Sequence, residues 1–319
     1  FRYYRDPDVV ASKFGTRYVG DMDRMFDSYS QLAEIVTEHV RSTVPKGAKD
    51  SDFVYRQATR AKALDAVRGM LPASSLSNVG IYGSGQAFEQ LLLRMRAHPL
   101  PESRLYADMM LTELRKVIPS FLRRVDVAER GGRWSEYLST NAGNMSELID
   151  SMMGDTVASD VDEVTLVDFD PEAENKLVAA ACYAYSHLPE SQIRMRVEKM
   201  STAEKTEILN TYIGDRDNRR QRPGRAFESI DYRFDVLSDY GAFRDLQRHR
   251  LLTIEWQPLT PYHGYARPEF VDAAGGTALF DEVMDRSSSL YDALVTDYPQ
   301  QAAYAVSMAY RIRYVMQFN

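Results

Sequence analysis

Phe227-Glu228-Ser229-Ile230-Asp231-Tyr232-Arg233-Phe234 and, shortly after, Arg244-Asp245-Leu246-Gln247-Arg248-His249-Arg250 decide how the chain is read. From Phe227 to Leu237 apolar and polar residues alternate, the period of a strand with two unlike faces. A helix from about Tyr240 then delivers Arg248-His249-Arg250. Arg244 and Arg248 are four apart, so they share one helical face. Two guanidiniums on one face suit a phosphate or pyrophosphate, because each donates two parallel hydrogen bonds. The same cations also suit a solvated helix end, where they complement the dipole. Spacing alone leaves both readings open.

Working outward, Glu163 to Phe169 reads as a strand, and Asp170-Pro171-Glu172 opens a helix to about Ser186. Helix also fits Thr202 to Ile213. The loop holding Arg216, Arg219, Arg220, Arg222 and Arg225 is either a second anion contact or an exposed surface loop. Leu251 to Trp256 fits a strand, Ala278 to Asp297 and Gln300 to Met308 fit helices, and Tyr310 to Asn319 alternates as a final strand. In the first part, helices are expected at 21–41, 53–71, 86–97 and 102–122, with a short strand at 78–82. Residues 127–162 read as a linker holding at most a short helix near Ser146 to Met153. The divisions expected are 1–126, the linker 127–162, and 163–319.

The chain echoes itself. Met22-Asp23-Arg24 with Tyr29 recurs as Met284-Asp285-Arg286 with Tyr291, and Gly15-Thr16 and Gly276-Thr277 precede the two copies. Ala66-Val67 and the strand ending at Tyr82 parallel Ala305-Val306 and the strand ending at Phe318. The matched order points to an internal repeat. No initiator Met opens the chain and it stops within a strand-like pattern, so a fragment of a longer protein is expected.

The 319 residues, 44% hydrophobic and 27% charged, have the composition of a globular protein. No apolar run suggests a membrane span. A net charge of −7 argues against DNA or RNA as partner, which needs a basic surface. The single cysteine, Cys182, excludes internal disulfides and a multi-cysteine zinc site, and fits a reducing cytoplasm. Its setting, Ala180-Ala181-Cys182-Tyr183, reads as packing rather than a reactive thiol. His39, His187 and His263 lack metal-ligand spacing, so no metal is expected. Gly83-Ser84-Gly85 between strand and helix weakly suggests a phosphate at a helix N-terminus. Arg94 and His98, four apart on the following helix, either line a pocket or lie on the surface.

These motifs together resemble the flavin-dependent thymidylate synthases, whose signature is R-H-R, seven residues, then Ser. Ala181-Cys182-Tyr183 resembles the family's small-residue stretch, and Phe227–Phe234 its E-H-x-x-F-x-F strand. Ala66-Val67-Arg68-Gly69-Met70-Leu71-Pro72 resembles its A-R-x-x-L-P segment, and Leu92-Leu93-Arg94 with His98 its late helix. A late half therefore precedes an early half, as two family domains in tandem would give if cut at both ends. The resemblance implies an α+β fold of helices packed on a mostly antiparallel sheet, and a homo-oligomer with sites at its interfaces. It implies FAD as cofactor, NADPH and methylenetetrahydrofolate as co-substrates, and methyl transfer to dUMP. By matching position, Arg248, His249, Arg250, His98 and Asn319 would face the flavin. Arg68, Arg94 and Arg244 would face the nucleotide.

The departures are equally specific. Pro258 stands at the signature Ser position and Thr260 at that of the following Arg. Proline has neither the hydroxyl nor the N–H that recognition would use. Asp245 replaces the usual Gln, Ser229 the strand His, and Gly83, Gly85 and Glu89 replace Asn, Arg and Asn. Three readings follow: a divergent flavin enzyme acting on a nucleotide, an inactive member kept as a flavin or nucleotide binder or structural partner, and an unrelated α+β protein with chance motifs.

Overall fold

The period-3.6 apolar stripe of residues 15–43 becomes the longest helix of the computed structural model, which describes residues 2–159, 161–249 and 251–319. In chain order the helices begin with α1 (Pro7–Ala11), α2 (Gly15–Thr43), α3 (Asp52–Val67), α4 (Gly85–Ala97), α5 (Pro101–Leu114), α6 (Pro119–Leu122) and α7 (Arg133–Met153). Strand β1 (Val164–Phe169) follows, then α8 (Ala173–Tyr183), α9 (Glu190–Val197), α10 (Thr202–Ile213), β2 (Tyr232–Asp239), α11 (Tyr240–Leu246) and β3 (Thr253–Trp256). The chain continues through α12 (Glu269–Ala273), α13 (Thr277–Leu294) and β4 (Arg311–Phe318). It divides into a helical unit, residues 1–160 with 260–310, and a sheet unit, residues 161–259 with 311–319. The fold is α+β, as the resemblance implies.

In the helical unit α2 packs on α13, burying Tyr18, Met22, Met25, Leu32 and Val36 together with Phe280, Met284, Leu290 and Leu294. Each such side chain contributes roughly 1.5–3 kcal/mol relative to exposure. At the seam Arg286 reaches Asp21 at 2.7 Å and Arg24 reaches Glu282 at 3.5 Å. A second core, Leu92, Leu93, Ala107, Leu111, Leu122 and Val125, joins α4, α5 and α6. Ser135, on α7, donates to the Leu93 carbonyl at 3.1 Å.

Four local expectations change here. Residues 133–153 form one continuous helix, where only a short one near 146–153 was expected. Gly143 and the Asn residues are tolerated because they lie on its exposed surface. The helix expected over 102–122 breaks after Leu114, since Pro119 cannot continue it. The strand expected at 78–82 does not form: these residues carry no regular secondary structure and pair with no strand among the described residues. The helix expected at 300–308 is a 3-10 turn, Gln301–Ala305, followed by a tight turn.

The sheet unit is built on a four-stranded antiparallel sheet in the order β1-β2-β4-β3. Val236 pairs with Tyr314, Phe234 with Met316, and Trp256 with Tyr314, so these side chains share one face. Val236, Ile312, Tyr314 and Phe243 form the buried centre of that face. The other face carries Arg233, Asp235, Arg313 and Gln317 beside Leu237 and Val315, with Arg313 on Asp235 at 3.1 Å. A bulge between Leu166 and Asp168 interrupts the pairing of the edge strand β1. Beside the sheet, Leu177, Val178 and Ala181 of α8 pack with Ile193, Val197 and Ala226. Burial raises the Cys182 thiol above its ordinary value, away from a reactive thiolate.

Candidate functional site

The cation cluster of the sheet unit is positioned by one aromatic anchor. Asp239 ends β2 and caps α11, its carboxylate accepting from the Ala242 N–H at 2.9 Å. Phe243, only 1% exposed, meets Tyr314 at 5.0 Å, Trp256 at 5.5 Å and Tyr240 at 5.9 Å between ring centroids. Seating this face on the sheet leaves Arg244 and Asp245 on the solvent side. Burial raises the Tyr240 hydroxyl above its ordinary value, and the Arg244 charge offsets only part of that rise.

The helix ends at Leu246, four residues short of the expected Arg250. Gln247 donates to Phe243 O at 2.9 Å and His249 to Leu246 O at 3.0 Å, a tight turn that swings the chain into β3. β3 must lie beside β4, so the pairing of Thr253 with Gln317 sets where the helix stops. Arg248 and His249 are therefore exposed on the α11–β3 turn. Arg250 lies outside the described residues. Arg248 already has a counter-charge, the Asp245 carboxylate three residues earlier. The expected shared face of Arg244 and Arg248 thus carries a negative charge next to its second cation.

Around this turn the departures have local roles. Pro258 is exposed beyond β3, where Gln257 still donates to Arg313 O at 3.0 Å. Ser229 donates to the Ala226 carbonyl at 2.6 Å and so closes its own 3-10 turn. Asn319 is exposed after Phe318, whose ring stacks on Phe234 at 5.5 Å. In the loop at 216–225, Arg216 donates to Gln221 O at 2.6 Å and Arg225 pairs with Glu228 at 2.8 Å.

The remaining site candidates lie in the helical unit. Arg68 is exposed and paired with Asp65 at 3.5 Å. Arg94 follows the buried pair Leu92 and Leu93 and faces solvent on α4. His98 does not share a helical face with Arg94, because α4 ends at Ala97 and His98 is extended. Pro99 disfavours helical backbone at the residue before it. The His98 ring accepts the Leu100 N–H through Nδ1 at 3.1 Å, and its carbonyl accepts from Arg104 at 2.7 Å. Partial desolvation, then the Arg104 charge, lowers this imidazole below its ordinary value. Gly85 serves packing: a Cβ there would lie 2.6 Å from the Phe121 ring. Ser84 instead caps α4 through the Ala87 N–H at 3.2 Å.

One set of polar residues went unnominated in the sequence. Arg233, Asp235, Arg313 and Gln317 line the sheet face opposite Phe243, and Arg233 pairs directly with Gln317 in register. The alternation Arg311-Ile312-Arg313-Tyr314 carries that signal, once the apolar face is known to be the buried one.

Comparison with known proteins bears on the second part of the chain most directly. Residues 165–319 match the family described as "Thymidylate synthase complementing protein". A UPF0159 protein of Chlamydia pneumoniae is 35% identical over the whole chain, and one of Chlamydia muridarum is 32% identical. The chain spans only 60% of the length of either relative. A UPF0159 protein of Thermoplasma acidophilum is 29% identical over 97% of the chain and 65% of its own length. Among solved structures, a UMP/dUMP methylase PolB from Streptomyces cacaoi bound with 5-Br dUMP covers 51% of this chain and 74% of its own. That likeness has 14% identity and a TM-score of 0.37, too slight to carry a functional argument. The sequence match and the Arg248-His249-Arg250 motif point the same way: residues 165–319 are similar to the thymidylate synthase complementing protein family, the flavin-dependent thymidylate synthases.

Proposed function

We propose that the chain is a divergent flavin-dependent thymidylate synthase-type protein, part of a cytoplasmic homo-oligomer that binds FAD and dUMP. The supporting observation is the α11–β3 turn. Phe243 locks it to the sheet while Arg248 and His249 stay exposed, as an anion contact needs. The donor set fits the diphosphate of a dinucleotide, since a guanidinium and an imidazole on a rigid turn offer several N–H groups to its oxygens. Arg248, His249 and Arg250 would hold FAD there, with Asn319 as a further contact, and Arg244 would attract the nucleotide phosphate. Arg68, Arg94 and His98 keep their proposed roles toward nucleotide and flavin. The bound flavin would supply the hydride that completes a methyl group from the methylene of methylenetetrahydrofolate, with NADPH as reductant.

Two observations favour a second reading, a catalytically inactive member kept as a flavin or nucleotide binder or as a structural partner. Asp245 neutralises Arg248, and Pro258 offers no donor where the family has Ser. Each missing buried contact would cost about 1–3 kcal/mol of nucleotide binding. The visible spectrum of the purified protein, with FAD quantified after denaturation, tests the proposal. Near-stoichiometric FAD is expected, followed by oxidation of the reduced flavin on adding dUMP and methylenetetrahydrofolate. Bound FAD without that oxidation selects the second reading in its flavin-binding form. No flavin, even after FAD is added, overturns flavin binding altogether.

A further inference from the structure

The repeat seen as an echo in sequence is a repeat in structure, and one copy of it is incomplete. In the first copy Tyr3 forms a β-bridge with Ser75, and in the second Tyr265 forms one with Tyr310. A short helix follows each tyrosine, α1 or α12, then a long helix, α2 or α13. Met22 and Met284 are both fully buried there. Each copy then reaches a 3-10 turn, Arg68–Met70 or Gln301–Ala305, and a tight reverse turn. The reverse turns match bond for bond: Ser75 donates to Pro72 O at 2.9 Å and Tyr310 to Ser307 O at 3.0 Å. Tyr4 donates to Ser74 O at 2.9 Å, and Ala266 to Ala309 O at 2.9 Å.

The two copies meet across a local two-fold at the Pro72–Ser307 bridge. Ala73 donates to Val306 O at 2.8 Å, and Met308 donates to Leu71 O at 2.9 Å. Beyond that point they differ. The second copy enters β4, paired by β2 on one edge and by β3 on the other. The first enters residues 76–83, which lie the same distance beyond Pro72 as β4 lies beyond Ser307. Leu76 at its start donates to Arg2 O at 3.1 Å. Residues 77–83 are exposed, and no strand pairs with them among the described residues. Val79 and Ile81 take the offsets of the core residues Tyr314 and Met316, yet they are 77% and 54% exposed. A segment with a strand's apolar–polar alternation and no strand on its edges is a template for further strands.

We propose that residues 76–83 are the central strand of a second sheet, paired on both edges by strands of the β2 and β3 kind. Those strands belong to a second thymidylate synthase-like segment that precedes Tyr3 in the complete protein. The relatives have room for it, since two fifths of each chlamydial protein lies outside the match. The inference rests on the internal repeat and not on flavin binding, so either can fail without the other. Amide hydrogen exchange, measured on the complete gene product and on the 319-residue chain, tests it. Residues 76–83 are expected to exchange about a hundredfold or more slowly in the complete product than in the shorter chain. Ile81→Pro, which blocks one edge, should lower the unfolding midpoint of the complete product and leave that of the shorter chain unchanged. Fast exchange in the complete product, or a product with no segment before Phe1, overturns the proposal. So does protection in the shorter chain that vanishes on dilution, because a second copy would then be the occupant.

Discussion

Asp245→Gln should strengthen FAD binding while leaving the fold nearly untouched. The Arg248–Asp245 pair is open to water, its side chains 75% and 60% exposed, and its residues are three apart. Such pairs contribute about 0.2–0.5 kcal/mol. Near the C-terminal end of α11 a carboxylate also opposes the helix dipole, so the two effects nearly cancel. The effect on an anionic ligand is larger. A unit charge about 7 Å from another in water interacts by roughly 0.6 kcal/mol, and a diphosphate carries two. Removing the carboxylate therefore gains about 1 kcal/mol at low salt, roughly fivefold in affinity. Near physiological ionic strength, with a Debye length of about 8 Å, less than half of that remains. The assay is FAD titration followed by flavin fluorescence, at low and at moderate salt, with thermal unfolding in parallel. Glu228→Gln, which breaks the exposed pair with Arg225, is the control and should change neither quantity. A folded Asp245→Gln protein with unchanged or weaker FAD affinity would refute the placement of the diphosphate at this turn.

The elements legible in the sequence are those whose own residues decide them. Residues 15–43 present Met22, Met25, Leu32 and Val36 at helical spacing, and all four are buried. Arg311 to Phe318 alternates because one face meets Phe243 and the other carries mostly polar residues, Arg311, Arg313 and Gln317. The failures came where a partner outside the segment decides. Residues 78–82 carry a strand pattern, but a strand exists only when something pairs with its edges. The helix toward Arg250 stops at Leu246 because β3 has to reach β4, a demand no local propensity expresses. His98 leaves its helix for a reason that was readable, the proline after it. For the site, residue types carried the family pattern, while their charge balance lay in contacts. Arg248 was visible as a cation, and its neutralisation by Asp245 followed from a backbone turn.

Two further predictions bear on each unit in turn. In the helical unit Arg115 holds Asp126, with one hydrogen bond of 2.8 Å, and keeps its carboxyl below the usual carboxylate value. A depressed carboxylate stabilises above the unfolded value near pH 4 and loses that contribution as pH falls through the lower one. Asp126→Asn should therefore cost something under about 1 kcal/mol at pH 7, since both side chains are about a third exposed, and less than that near pH 2. Urea midpoints at the two pH values check this, and an equal loss at both would remove the ionic explanation. In the sheet unit, Phe243→Ala removes the ring that contacts Tyr240, Trp256 and Tyr314 at once. A buried Phe→Ala change costs about 3–5 kcal/mol, a large share of a domain's stability. The milder Phe243→Leu keeps the core filled and leaves the unit folded, but loses the flat ring that sets how α11 lies on β4. If that seating is what aims Arg248 and His249, the leucine variant should lose FAD affinity well before it loses its unfolding midpoint. Parallel loss of both would mean that Phe243 serves the core alone, and that the turn beyond it owes its position to the β3–β4 pairing.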